Sequence, residues 1–310
     1  MNKIKHINAK TLDEAVKNLS ATANVIAGGT DLYGTLKSMC LPKPPDTIIN
    51  LKTIPNLDYI KEEGGMLKLG ALATLTAIAE SPVVRGKWAS LADSALRVAS
   101  PALRNMGTIA GNLCQRSRCW YYRAEHDAFL CFRKGGETCF GIAGDNRYLA
   151  IMGGQLCFQA FPSDTGIPLC ALDATVVTTQ QSIKIRDFFV VLGNKLKENE
   201  IIKEIQVPAP AAGTKQAFIK WADRKSIDFA TASCAVALTG SSAVIYMGGV
   251  GPLPIRAATA EDLIKGKAID ATSAQAAADE ALKRAVPQSM NRHKIQIAKT
   301  IVKRTLLAAK

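Results

Sequence analysis

The sequence predicts an α+β chain of two or three domains, and three observations carry that reading. Its 310 residues, 48% of them hydrophobic, suffice for more than one core. Near the N-terminus, a helical apolar stripe leads into a short apolar strand and a glycine turn. From Ile183 onward, apolar and polar residues partly alternate, as in half-buried strands, before two helical stretches complete the chain.

In the first part, Thr11 followed by Glu14 forms a capping-box pattern. Leu12, Ala15, Val16 and Leu19 share one face of the helix that follows. A buried strand at 24–27 then runs into Gly28-Gly29-Thr30-Asp31. Glycine here permits positive φ and leaves backbone N–H groups bare, a nest suited to an anion such as a pyrophosphate. Taken alone, the turn also reads as a plain strand-to-helix connection. It has neither the GxGxxG of a dinucleotide fold nor the lysine of a P-loop.

Further strands are expected at 47–51 and 66–71, the latter opening through Gly70-Ala71 toward a helix near Thr74. A helical run at 88–98 places Leu91, Ala92, Ala95 and Val98 on one face, and Ser100-Pro101 ends it, because a residue before proline disfavours helix. RNMGTIAGNLC follows from Arg104, a small-residue run in which Gly107, Gly111 and Asn112 allow a ligand to approach the backbone closely. Beyond 181, strands are expected at 183–185, 201–207 and 243–247, with Phe218–Trp221 leading into Arg224 and Asp228. Helical regions are expected at roughly 258–285 and 291–308, the last with Ile295, Ala298, Val302, Thr305 and Leu306 on a packing face.

Five of the eight cysteines lie between positions 114 and 157. The N-terminal residues show no apolar signal-peptide region, and no apolar run approaches the roughly eighteen residues of a membrane span. A cytoplasmic protein is therefore expected, in which thiols stay reduced and a cysteine cluster points to metal rather than disulfides. The gaps from Cys119 to Cys131, Cys139 and Cys157 are 12, 8 and 18 residues, with no CxxC pair of the kind that pre-forms half a zinc site. Four thiolates are also the usual ligands of an iron–sulfur cluster, so spacing alone leaves zinc and iron–sulfur both open. Trp120-Tyr121-Tyr122 reads as packing around the loop, and His126 as a solvated side chain. A net charge of +13 raises nucleic-acid binding, but no zinc-finger, RNP or basic-arm pattern accompanies it. The basic surface is read as facing solvent or an acidic partner.

RNMGTIAGNL together with AGGTDLY resembles the FAD-binding subunit of the molybdenum hydroxylases, such as xanthine dehydrogenase and carbon monoxide dehydrogenase. The inserted RCWYYR…C…GGETC…LCFQAFPSD is similar to the 4-hydroxybenzoyl-CoA reductase variant, whose flavin subunit carries an extra [4Fe–4S] cluster. The resemblance runs over essentially the whole chain. It implies a vanillyl-alcohol-oxidase-like (PCMH-type) FAD fold: a lobe at 1–55, a second lobe at 56–180 with the cysteine insertion at about 114–157, and an α+β flavoprotein domain at 181–310.

By the same resemblance FAD contacts Ala27, Gly28, Gly29, Thr30, Asp31 and Leu32 on one side, and Asn105, Gly107, Thr108, Gly111 and Asn112 on the other. Gly70 and Ala71 form a third contact, and Asp164 and Lys220 lie near the flavin. Asp164 also reads as an N-cap of a helix at 165–172, and Lys220 with Arg224 as a basic pair or a surface pair with Asp228. Cys119, Cys131, Cys139 and Cys157 match the cluster ligands, leaving Cys114 spare.

No catalytic residue is implied in this chain. The implied role is electron transfer within a dimer of heterotrimers, with a molybdopterin-binding large subunit, a small [2Fe–2S] subunit and an external ferredoxin or NAD. No nucleic acid and no membrane span enter. Two other classes remain for comparison, a zinc-stabilised binding module without flavin and a stand-alone flavin oxidase.

Overall fold

The computed structural model describes residues 3–310, and among these the strands form four sheets. Lys5–Asn8 and Ala23–Ile26 flank Thr47–Asn50 in a three-stranded parallel sheet. The helix Leu12–Lys17 connects the two flanking strands. Thr11 Oγ1 accepts from Glu14 N at 3.1 Å while the Glu14 carboxylate reaches back to Lys10 N at 2.7 Å, so the helix starts where the sequence signals it. Its stripe packs with Ile49, Leu51 and Leu57 in a small core of this lobe.

The second sheet is antiparallel, in the order Ile60–Glu63, Met66–Gly70, Ile202–Pro208, Thr175–Thr178, Ser182–Lys184. Ile202–Pro208 pairs with strands on both sides, so the division expected at 180/181 runs through a hydrogen-bonded sheet. Pairing, rather than the change in composition, decides where this strand belongs. Short helices cover the sheet, and Trp88, Leu91, Ile78 and Phe188 are fully buried beneath them. The helix expected over 88–98 runs Ala89–Leu96 and ends at an Arg97 cap ahead of Ser100-Pro101, which instead starts Pro101–Met106. Proline suits the first helical turn because its missing N–H would have no partner there.

The third sheet is antiparallel, Lys215–Trp221, Ala232–Thr239, Ser242–Gly248, Ile255–Arg256. Phe218, Ala235 and Tyr246 face the core of the middle unit, while Cys234, Val236 and Ile245 face the C-terminal helices. Ala232–Thr239 is therefore buried on both faces, and a strand so covered loses the alternation that announces it in sequence. The helical region expected at 258–285 divides into Ala258–Ile264 and Ala271–Ala281. Gly266, at φ +79°, breaks it, and an Asp270–Ser273 capping box restarts it. His293–Ala308 closes the chain. Among the described residues no helix is long and apolar enough to cross a membrane.

Candidate flavin site and cysteine loop

A cavity of about 440 Å³ lies where the three units meet. Ala27–Leu32 of the first lobe form one wall, and Ala71, Gly107, Thr108, Gly111 and Asn112 of the second form another. Asp164 and Lys220 reach it from the middle and third units.

The two glycine turns meet backbone to backbone. A Cβ on Gly28 would sit 1.9 Å from the carbonyl oxygen of Met106, so only glycine lets the lobes approach this closely. Gly29 has φ +71°, a conformation that L side chains rarely adopt. Gly111 is different: a Cβ there would lie 2.9 Å from Thr108 Oγ1, the hydroxyl that caps its helix by accepting from Gly111 N. The second turn is fastened to its own lobe by Leu75 N donating to Gly107 O and Ile109 N to Ala73 O, each at 2.9 Å.

Two of the expected contacts lie outside this cavity. Gly70 is glycine because a Cβ would come within 2.3 Å of Leu57 O, a packing requirement. Asn105 sits on an exposed helix, where its Oδ1 accepts from Thr76 at 2.6 Å. A glycine needed for packing and one needed for a ligand look alike in sequence.

Asn112 is buried, and its Oδ1 accepts from Ser163 Oγ at 2.6 Å and Thr165 Oγ1 at 2.7 Å. The second glycine turn thus holds the Pro162–Asp164 corner. Asp164 is not an N-cap: Ser163 Oγ accepts from Gly166 N instead, and Asp164 pairs with Lys220 Nζ at 2.6 Å. Both side chains of that pair are 6% exposed. Burial pushes the Asp164 carboxyl above its ordinary range, and Lys220 opposes the rise. Lys220 also donates to Arg97 O at 3.0 Å. Arg224 does not join Lys220; it forms an exposed pair with Asp228.

The sequence reading did not assign Arg116 and Arg118, which also line the cavity. The available signal was two arginines beside a glycine-rich turn expected to meet a diphosphate. At the rim, Ile227 N donates to Ala99 O at 2.8 Å, and both residues have positive φ. A β-branched residue in that region is strained.

The loop beyond contains little regular structure, only Trp120–Arg123 and the 3₁₀ turns Glu125–Asp127 and Phe132–Lys134. Cys119, Cys131, Cys139 and Cys157 line one small cavity of about 20 Å³ beside Tyr121, Phe140 and Leu156. Cys114 lines the large cavity instead. All eight cysteines are free. Burial pushes the Cys119 thiol up to about 11, against the opposing pull of the Tyr122 and Tyr121 backbone N–H groups. Burial likewise raises Cys131, with the Arg133 N–H opposing. Arg133 Nε donates to Cys157 Sγ at 3.2 Å. Among the described residues, no three His, Cys, Asp or Glu side chains converge as ligands of a single metal ion. His126 is exposed and does not line the thiol cavity.

Residues 2–210 match the family model "FAD binding domain in molybdopterin dehydrogenase", and residues 217–309 match "CO dehydrogenase flavoprotein C-terminal domain". The chain is 31% identical to the aldehyde oxidoreductase FAD-binding subunit PaoB of Escherichia coli K12, over 93% of this chain and 92% of that subunit. It is 30% identical to the carbon monoxide dehydrogenase medium chain of Hydrogenophaga pseudoflava, over 97% of this chain and 94% of that one. A solved structure of the Hydrogenophaga pseudoflava carbon monoxide dehydrogenase superimposes with a TM-score of 0.77 at 27% identity, covering 99% of this chain and 97% of its own. With glycine turns facing each other across one cavity and both family domains present in order, the chain belongs to the FAD-binding subunits of the molybdenum hydroxylases, built on the PCMH-type FAD fold.

Proposed function

We propose that this chain is the electron-transfer subunit of a molybdenum-dependent hydroxylase, dehydrogenase or reductase, carrying FAD between the glycine turns and a [4Fe–4S] cluster in its cysteine loop. The observation that carries the reading is the joint wall: Cys114, Gln115, Arg116 and Arg118 line the flavin cavity, while Ser117 between them and Cys119 just beyond line the thiol cavity. When bound, FAD exchanges electrons singly or in pairs, and the cluster exchanges them singly.

The chemistry of the residues present supports this reading. Bare backbone at Gly28–Thr30 and the Arg116 and Arg118 guanidinium groups suit a diphosphate. Ala27, Gly28, Gly29, Thr30, Asp31, Leu32, Ala71, Gly107, Thr108, Gly111 and Asn112 line the cavity with Asp164 and Lys220, which supports assigning them to FAD. Four thiols in apolar surroundings, with backbone N–H groups and Arg133 directed at sulfur, suit an iron–sulfur cluster.

On this reading the substrate is oxidised or reduced on a partner chain. The partners are a molybdopterin-binding large subunit and a small [2Fe–2S] subunit, arranged as a dimer of heterotrimers. The relatives in Escherichia coli and Hydrogenophaga pseudoflava are an FAD-binding subunit and a medium chain, which supports a multi-subunit assembly. The external partner is a ferredoxin or NAD. The eight free thiols support a reducing, cytoplasmic setting.

The test is to purify the intact complex anaerobically and count FAD, iron, sulfide, zinc and molybdenum per copy of this chain. FAD, together with iron and sulfide beyond what the small subunit accounts for, is the expected result. FAD with zinc in the loop would remove the cluster but keep the subunit. A colourless chain without flavin would end the reading.

A further inference from the structure

Asp31 stands on the first glycine turn, where the family resemblance assigns it to flavin. Its carboxylate, however, is engaged by the chain on both sides of Cys119. Oδ1 accepts from Arg123 Nη2 at 2.6 Å and pairs with Arg118 Nη2 at 2.7 Å, while Oδ2 accepts from the Arg116 backbone N–H at 2.8 Å. Arg116 and Arg123 lie 85 and 92 residues further along the chain. The grip continues inside the loop, where Arg123 Nε donates to Ser117 O at 2.7 Å and Cys119 N to Ser117 Oγ at 3.2 Å. Arg118 also lies over the Phe229 ring at 4.7 Å, which brings the third unit into the same joint.

We infer that Asp31 is a positioning residue for the cysteine loop: its carboxylate pins the chain before and after Cys119 to the wall of the flavin cavity, so that loop and cavity move as one body. The contacts themselves stand apart from what the loop holds; their consequence for electron transfer rests on the cluster reading above. Electron transfer weakens steeply with separation, so a cluster on a loosely attached loop would exchange electrons at a variable and mostly slow rate. Two guanidinium groups and a peptide N–H on one carboxylate make charge-assisted bonds that resist such movement. The Asp31, Arg118 and Arg123 side chains are 19%, 30% and 18% exposed, so water screens them only in part. Of the four thiols in the small cavity, Cys119 is the one whose neighbours in sequence line the large cavity. Holding it is therefore how the two cavities keep their spacing.

The test uses the full chain in its complex, as wild type, Arg123→Met, Arg123→Lys, Asp31→Asn and the Asp31→Asn/Arg123→Met double variant. Arg123 does not line the flavin cavity, so Arg123→Met should keep its FAD. Amide hydrogen exchange at residues 116–123 should rise in Arg123→Met and Asp31→Asn, and the double variant should rise by less than the sum of the two, because both single variants remove the shared Asp31–Arg123 contact. Arg123→Lys, which keeps the charge, should restore part of the protection. A chelator should strip loop iron about tenfold faster from the two single variants, the scale on which outer partners of metal ligands act. The electron paramagnetic resonance signal of the reduced loop centre should broaden with them. Unchanged exchange at 116–123 in both single variants, or strictly additive effects, would overturn the inference. Loss of FAD from Asp31→Asn with an undisturbed loop would leave Asp31 a flavin residue alone and overturn the clamp. A wild-type loop without iron would end the cluster reading alone, and the exchange comparison would still decide the clamp.

Discussion

Gly29 and Gly111 differ in why they are glycine, and substitution should separate them. Gly29→Val forces a β-branched residue to φ +71°, on the wall that faces the flavin. Strain at such a position costs about 1–3 kcal/mol, or roughly a ten- to hundredfold loss of FAD affinity if it falls on the bound state. Gly111→Val instead presses on Thr108 Oγ1 and opens a helix cap, a loss of about 1 kcal/mol in stability. Flavin titration beside thermal melts tests both: Gly29→Val should lose flavin more than it loses melting temperature. Equal flavin retention in the two variants would make both turns structural only.

The thiols can be sorted at the same scale. Cys157→Ser should remove most of the loop iron, because Cys157 lines the small cavity with Cys119, Cys131 and Cys139. Cys114→Ser should keep it, since that side chain faces the flavin cavity. Iron analysis of the two purified variants decides this, and the reverse pattern would transfer the fourth position to Cys114.

Among the elements, the C-terminal helix does more than pack. Lys294 is fully buried on it and donates to Tyr148 O at 3.2 Å, Leu149 O at 2.9 Å and Gly249 O at 2.6 Å. Burial pulls its ammonium down to about 7, while three carbonyl acceptors favour the charged form, which alone has three N–H donors. Asn291 adds bonds to Leu149 O and Ala150 O from the turn before the helix. The far end of the cysteine loop is thus fastened to the third unit. Lys294→Met preserves length but leaves these carbonyls short of donors, and each buried orphan costs about 1–3 kcal/mol. We expect a destabilisation of about 3 kcal/mol or more in urea melts, with added proteolysis near residues 145–150. A melt unchanged within about 0.5 kcal/mol, the scale of ordinary surface substitutions, would show that this anchor is dispensable.

For the whole molecule, the proposed function makes the flavin and the loop cluster a relay, with electrons entering on one face and leaving on another. The chain should therefore co-purify from its native host with a molybdenum-cofactor subunit and a [2Fe–2S] subunit, as size-exclusion chromatography coupled to mass spectrometry would show. In the Cys131→Ser complex, exchange with a one-electron external partner such as ferredoxin should slow while transfer between flavin and the [2Fe–2S] centre survives, as rapid-mixing spectroscopy can follow. Full redox turnover by an isolated monomer would contradict the relay.

Local sequence was sufficient for the first helix, where Thr11, Glu14 and an apolar stripe act within a few residues of one another. It was sufficient also for the two glycine turns, which backbone geometry demands whatever surrounds them, and for the family, which those turns and the C-terminal domain carry together. Pairing decided the rest. Ile202–Pro208 joins the middle sheet because strands far away in sequence hydrogen-bond to it, and Ala232–Thr239 is a strand because layers cover both its faces. Gly70 lies outside the cavity with Leu57 against it, and Asp31, on the cavity wall, also takes three donors from the chain around Cys119 on its carboxylate. Such assignments depend on partners tens of residues away, and only the folded chain brings those partners within hydrogen-bonding distance.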